Sequence, residues 1–178
     1  MILFKKGRIS QEKKIYSFHL SVKKKLELAL NILKKKGKKM GKRNSGKPYT
    51  SHAEEVAVLC FRAGLSIDHL ILGVLHDMVE DGVLTIRESE KLFGKQITIA
   101  LNAISRKRKE PYLRYIWRCA QNPLARKVKW HDIISNMDGF SSLKKRLFLY
   151  PLGLLFLQCV SWKNFKNEKD DTFQNKSI

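Results

Sequence analysis

The chain has 178 residues, 43% of them hydrophobic, and 36 Lys and Arg against 16 Asp and Glu give a formal charge of +20. This is long and apolar enough for one domain with a core, which excludes a disordered chain, and the excess of cations keeps a polyanionic partner, nucleotide or nucleic acid, in play. Cys60, Cys119 and Cys159 stand apart in apolar context without CxxC spacing, which fits reduced core thiols and excludes a thiolate metal site.

Helical periodicity dominates in chain order. Val22, Leu26, Ala29, Leu30 and Leu33 form an apolar stripe with lysines opposite, predicting a helix over Val22–Lys36. Gly37–Pro48 reads as a lysine- and arginine-rich loop. A second helix is expected from Ser51 to about Ala63, closed by Gly64. Ser66 is placed to cap a third, Ile67 to about Val79, whose body is apolar on all sides and belongs in the middle of a fold. Thr85-Ile86-Arg87-Glu88 is a capping box, so a helix starts there and ends before Gly94. Ile97–Ile104 is again periodic, and Arg106–Lys109 is a basic loop. Glu110–Gln121 places Tyr112, Tyr115, Ile116 and Cys119 on one face. Asn122-Pro123 then opens a helix to about Met137. No strand alternation of any length occurs, so the fold class expected is all-α, a single-domain helical bundle.

The charge is uneven. Residues 1–50 carry 16 Lys and Arg against 2 Asp and Glu, whereas residues 51–100 carry 4 against 8. The acidic stretch holds His76-Asp77-Met78-Val79-Glu80-Asp81, an imidazole and three carboxylates at the end of an apolar run. A lone histidine there is ordinarily a packed core residue. Three carboxylates beside it are costly to bury without a positive partner, and a divalent metal is the economical one. His52 upstream, with Asp132 and Asn136 downstream, are its candidate companions. Open sites of mixed imidazole and carboxylate ligation perform hydrolysis.

Three ordered segments carry a resemblance. Arg43-Asn44-Ser45-Gly46-Lys47-Pro48-Tyr49-Thr50-Ser51-His52 resembles an R-x-S-G-x-P-Y-x-x-H segment. His76–Asp81 resembles H-D-x-x-E-D. Lys129-Trp130-His131-Asp132-Ile133-Ile134-Ser135-Asn136 resembles K-x-x-D-x-x-x-N. Together, over about residues 22–140, the chain is similar to the HD-superfamily phosphohydrolases, and within them to the hydrolase domain of RelA/SpoT-type alarmone enzymes, in their small stand-alone form. The resemblance implies an HD-domain bundle over 22–140; outside it the chain reads as a basic extension over 1–21 and an apolar helix and polar tail over 141–178, the part least like the family. It implies His52, His76, Asp77 and Asp132 as metal ligands, the metal being Mn2+. It implies Glu80 and Asp81 as catalytic base and partner, and Arg43, Ser45 and Asn136 as substrate contacts. The activity implied is removal of the 3′-pyrophosphate from guanosine tetra- or pentaphosphate, a stringent-response function.

Where the family often has Arg and His, this chain has Ile133 and Ser135, which leaves the ligand Asp132 in place and alters its polar surroundings. An HD-type hydrolase of another nucleotide, including the phosphate of a nicotinamide cofactor, is the alternative enzyme. A non-catalytic nucleotide- or nucleic-acid-binding protein is the alternative binder, resting on the basic flanks. The apolar run Leu147–Val160 is shorter than the roughly 20 residues that span a bilayer and is broken by Pro151, Gly153 and Gln158, so it reads as a late core element and not a membrane span. Lys5 and Lys6 cut short any signal-peptide core after Met1–Phe4, so a cytoplasmic location is expected.

Overall fold

A computed structural model describes residues 23–35, 37, 46, 48–137 and 145–160. These form helices throughout, and no β-strand element occurs among the described residues. In chain order they are α1 (23–35), α2 (Thr50–Arg62), α3 (Ile67–Leu75), α4 (Ile86–Phe93), α5 (Lys95–Ile104), α6 (Tyr112–Gln121), α7 (Pro123–Met137) and, after a π-type turn at Lys145–Leu149, α8 (150–160). The all-α expectation is met.

Helix α3 is the axis of the bundle. Ile71, Leu72, Val74 and Leu75 are fully buried, and α3 packs against α2, α5 and α7. Full burial of side chains of this size contributes about 1.5–3 kcal/mol each as an upper estimate. Gly73 lets α2 and α3 approach closely, for a Cβ there would stand 3.3 Å from both the Cα and the amide nitrogen of Ala57. Helix α7 lies across α2, α3, α5 and α6 and so brings its own polar residues to the centre.

Most helix ends follow local chemistry. Thr85 and Glu88 form the complete capping box, with the Glu88 amide donating to Thr85 Oγ1 at 3.1 Å and the Thr85 amide to Glu88 Oε2 at 2.8 Å. The Ala125 amide donates to Asn122 Oδ1 at 2.9 Å, with Pro123 as the first residue of α7. Helix α5 ends against Arg118, whose guanidinium donates to the carbonyls of Asn102, Ala103 and Ser105 and, at 2.7 Å, to Glu110 Oε2. Glu110 is thereby held below the usual glutamate range, chiefly by that hydrogen bond.

Four expectations are corrected. Helix α3 ends at Leu75 and does not run to Val79; residues 76–82 form consecutive turns closed by Gly82 at φ +67°. Asp77, Glu80 and Asp81 would have crowded the negative end of the helix dipole had it continued. Ser66 stands at the N-cap of α3 with extended backbone, but its hydroxyl pairs with His69 Nδ1 at 2.7 Å and caps no amide. Cys60 and Cys119 are buried with thiols pushed up to about 12 by burial, whereas Cys159 is exposed. In the late apolar run Leu157 joins the core, but Leu147, Phe148, Leu152 and Leu155 are exposed.

Candidate metal centre and cleft

The site is assembled from three helix positions. His52 lies in the first turn of α2, His76 follows α3 directly, and Asp132 sits within α7, all three buried. Each offers a donor atom within 4.8 Å of the other two. His52 Nε2 is 2.8 Å from Asp132 Oδ1, and the two imidazole rings stand edge to face at 5.2 Å. Residues 80 positions apart along the chain thus converge, and the close packing of α2 on α3 at Gly73 is what brings the two rings together.

His76 is oriented so that it could hold a metal ion. Its Nδ1 donates to the Gly73 carbonyl at 2.7 Å, which fixes the ring orientation and leaves Nε2 facing the cluster. Nε2 lies 3.1 Å from Asp77 Oδ1 and 3.5 Å from Asp132 Oδ1, but neither oxygen is aligned to hydrogen-bond with it, and the atom is buried without a partner. An orphaned buried imidazole nitrogen between two carboxylate oxygens fits a divalent cation. The second imidazole, His52, completes a mixed nitrogen and oxygen donor set. Burial opposes charge on His76, but Asp77 and Asp132 outweigh it and raise its pKa well above the ordinary histidine value.

Asp132 is the hub. Its Oδ1 accepts from Asn136 Nδ2 at 2.7 Å, and its Oδ2 accepts from Lys129 Nζ at 2.6 Å. Burial would raise its pKa; Lys129 together with His52 and His76 holds it well below the carboxylate range. Asp77 is depressed against its own burial, mainly by His76. Lys129 lies 4.8 Å over the Tyr115 ring, and its charge is maintained against burial by Asp132.

A cleft of about 230 Å³ opens over this cluster. Its lining combines His52, Asp77 and Asp132 with Glu80 and with the cations Arg106, Lys129 and Lys145. Glu80 is exposed at the rim, where the Arg106 amide donates to Oε1 at 2.6 Å. Partial burial raises the Glu80 pKa above its usual value; the Asp77 charge adds to this, and the Arg106 amide opposes it. Asn136 also lines the cleft, turned onto the Asp132 carbonyl at 2.8 Å. Asp81 is exposed and accepts from the Tyr49 hydroxyl, away from the cleft lining. Arg43 and Ser45 lie outside the described residues.

The sequence assigned no role to several residues of the site. In sequence Lys129 is only the first residue of the third motif, although its place three residues before Asp132 on one helix could have marked it as that carboxylate's partner. Arg106 is one cation in a run of basic residues with nothing to single it out. Ser135, noted only as a departure, has Oγ 3.0 Å from His52 Nδ1 and so supports that ring from behind.

No family model matches the chain. Among curated proteins it is 30% identical over 115 residues to the bifunctional (p)ppGpp synthase/hydrolase SpoT of Escherichia coli K12, covering 57% of this chain and 16% of that protein. It is 26% identical over 104 residues to a guanosine-3′,5′-bis(diphosphate) 3′-pyrophosphohydrolase of Aquifex aeolicus, covering 54% and 15%. The chain spans about a sixth of the length of these relatives. Among solved structures it superposes on a metazoan ortholog of SpoT, described as hydrolysing ppGpp, with a TM-score of 0.58 and 17% identity, covering 83% of this chain and 95% of that one. The resemblance carried by the three motifs is therefore borne out: this chain is homologous to the RelA/SpoT-type (p)ppGpp hydrolases over part of its length, and its all-helical fold is that of the solved ortholog.

Proposed function

We propose that this chain is a metal-dependent guanosine-3′,5′-bis(diphosphate) 3′-pyrophosphohydrolase, acting in the cytoplasm in the stringent response, with residues 22–140 as its hydrolase domain. The observation that carries the reading is the buried, unpartnered Nε2 of His76, facing the carboxylates of Asp77 and Asp132 beneath a cleft ringed by cations. His52, His76, Asp77 and Asp132 would hold the ion, with Mn2+ the species proposed. When bound, the cation neutralises phosphate charge and acidifies water.

The chain's own residues supply the rest. Glu80 takes the proton of the attacking water, and its upward-shifted pKa suits a base that must also release that proton. Asp81, held by Tyr49, is proposed to support Glu80 from the neighbouring turn. The water oxygen bonds to the first phosphorus of the 3′-pyrophosphate, the bond to the ribose 3′-oxygen breaks, and that oxygen departs protonated. Lys129, Arg106 and Lys145 offset the charge of the phosphates. Asn136 contacts the nucleotide, as do Arg43 and Ser45 through the basic loop.

Purified protein incubated with guanosine tetraphosphate and Mn2+ is expected to release GDP and pyrophosphate. Glu80→Gln is expected to lose turnover by about 10²–10⁴-fold while retaining metal. Metal-loaded wild-type protein without turnover on this substrate would reject the substrate assignment, and a panel of other nucleotides, including NADPH, would identify the alternative.

A further inference from the structure

Glu80 is an exposed side chain on the turns after α3, and such a glutamate has several rotamers open to it. A catalytic base works only when held in one geometry. What holds Glu80 is a backbone group 26 residues further along, the Arg106 amide, which donates to Oε1 at 2.6 Å. That donor belongs to the peptide unit between Ser105 and Arg106. The carbonyl of the same unit accepts from Arg118 Nη2 at 2.8 Å. A peptide is planar, so a guanidinium that fixes its C=O also fixes the direction of its N–H. Donation to the oxygen also polarises the N–H toward its own acceptor.

Arg118 is itself anchored. Its Nε and Nη2 donate to Glu110 Oε1 and Oε2 at 3.1 and 2.7 Å. Glu110 closes the loop on itself, its Oε2 accepting from the Lys107 amide at 2.9 Å and its carbonyl from Arg106 Nε and Nη2 at 3.1 and 2.7 Å. Lys109 completes the turn at φ 61°, the one non-glycine residue at positive φ among the described residues, a conformation held against its steric cost. Arg118 is not among the residues lining the cleft, so it reaches the reaction through the peptide it holds. A role confined to capping α5 would leave Glu80 unaffected.

We infer that Arg118 is a positioning residue for hydrolysis: through the Ser105–Arg106 peptide it holds Glu80 Oε1, and Oε2 is the oxygen that takes the water proton. The inference rests on the reading of Glu80 as the base.

The test separates the amide from the side chain that follows it. Arg106→Pro deletes the N–H, and the extended backbone of Ser105, at φ −79° and ψ 119°, suits a residue before proline. Arg106→Ala keeps the N–H and is the comparator. On guanosine tetraphosphate with Mn2+, kcat is expected to be about 10–100-fold lower in Arg106→Pro than in Arg106→Ala, with equal metal content. Arg118→Ala is expected to lose kcat about as much against the wild type, with KM and metal content within about twofold. Arg118→Lys, which keeps the charge but not the fork, serves with the same signs where Arg118→Ala does not fold.

A second readout needs no turnover. Losing a donor to the carboxylate raises its pKa, whereas Asp77, Lys129 and His76 act on Glu80 in every variant. By carbon NMR of the metal-free full chain, the Glu80 pKa is expected to rise above the wild-type value in Arg106→Pro and Arg118→Ala and to stay near it in Arg106→Ala. A wild type without turnover rejects the substrate assignment and leaves this readout standing. An unmoved Glu80 pKa in Arg106→Pro or in a folded Arg118 variant would overturn the inference. So would an Arg118 variant that keeps wild-type kcat, or one that loses metal together with turnover.

Discussion

Replacing Lys129 by methionine tests the electrostatics at the centre of the site. Lys129 and Asp132 have side chains only 13% and 5% exposed, with Nζ 2.6 Å from Oδ2. Methionine keeps the length and the contact with Tyr115 but removes the ammonium, leaving Oδ2 without its cation. Breaking a buried pair in this way costs about 3–5 kcal/mol. Oδ1 keeps His52 Nε2 at 2.8 Å and Asn136 Nδ2 at 2.7 Å in the variant, which favours the lower end, about 3 kcal/mol. For a chain of this size that is a fall in Tm of roughly 6–12 °C. The measurement is thermal unfolding by circular dichroism in EDTA and again with saturating Mn2+. In EDTA the variant is expected to melt lower by that amount. On adding Mn2+ it is expected to gain more than the wild type, because the ion restores positive charge beside Asp132. Unchanged melting in EDTA, or equal gains with metal, would refute the reasoning.

Other outcomes follow from the same geometry. Ser135→Ala removes the hydroxyl behind His52 Nδ1 and is expected to weaken Mn2+ binding by about 10–100-fold in calorimetric titration, with Ser135→Thr restoring it. Arg118→Ala strips Glu110 and the last carbonyls of α5 of their donor and is expected to destabilise the fold by about 2–3 kcal/mol in urea denaturation. Because Glu110 is depressed in the folded state, its stabilisation is present above the ordinary glutamate pKa and is lost as pH falls through the lowered one. The acid-side loss of stability is therefore expected to be shallower in Arg118→Ala. Glu80 is shifted the other way, so titration of the metal-free chain is expected to place its pKa above the usual carboxylate range, and the acid limb of the kcat/KM profile at saturating metal should vanish in Glu80→Gln. Gly73→Leu forces apart α2 and α3, and both stability and Mn2+ affinity are expected to fall together, as read by thermal unfolding and titration.

Helix boundaries were legible wherever a local residue made them. The capping box at Thr85 and Glu88 and the Asn122-Pro123 start of α7 are chemistry within four residues, and both were readable without tertiary knowledge. The end of α3 was not, because its apolar periodicity continues through Val79 while the backbone turns away after Leu75. Charge at a helix C-terminus competes there with hydrophobic patterning, and the carboxylates prevail. The outer face of α8 escaped for a related reason. An apolar run announces burial, but periodicity cannot say that Leu152 and Leu155 face outward while Leu157 faces in.

The site divided in the same manner. His52, His76 and Asp132 were marked by their residue type and motif spacing, and the structure brings them together. Asp77 meets His76 as its adjacency predicts, and Glu80 reaches the cleft rim. Arg106, Lys145 and Tyr112 reach the cleft only through packing of α5, α6 and the π-turn. A basic or aromatic residue in a chain with 36 Lys and Arg carries no local sign of where it will point.

The most direct test of the account is the stoichiometry of Mn2+ bound to the purified chain, measured by equilibrium dialysis for the wild type and for His52→Ala, His76→Ala and Asp132→Ala. One ion per chain, lost in every variant that stays folded, is the predicted result. Undiminished binding in any of the three, or no saturable binding to the wild type, would contradict a shared centre.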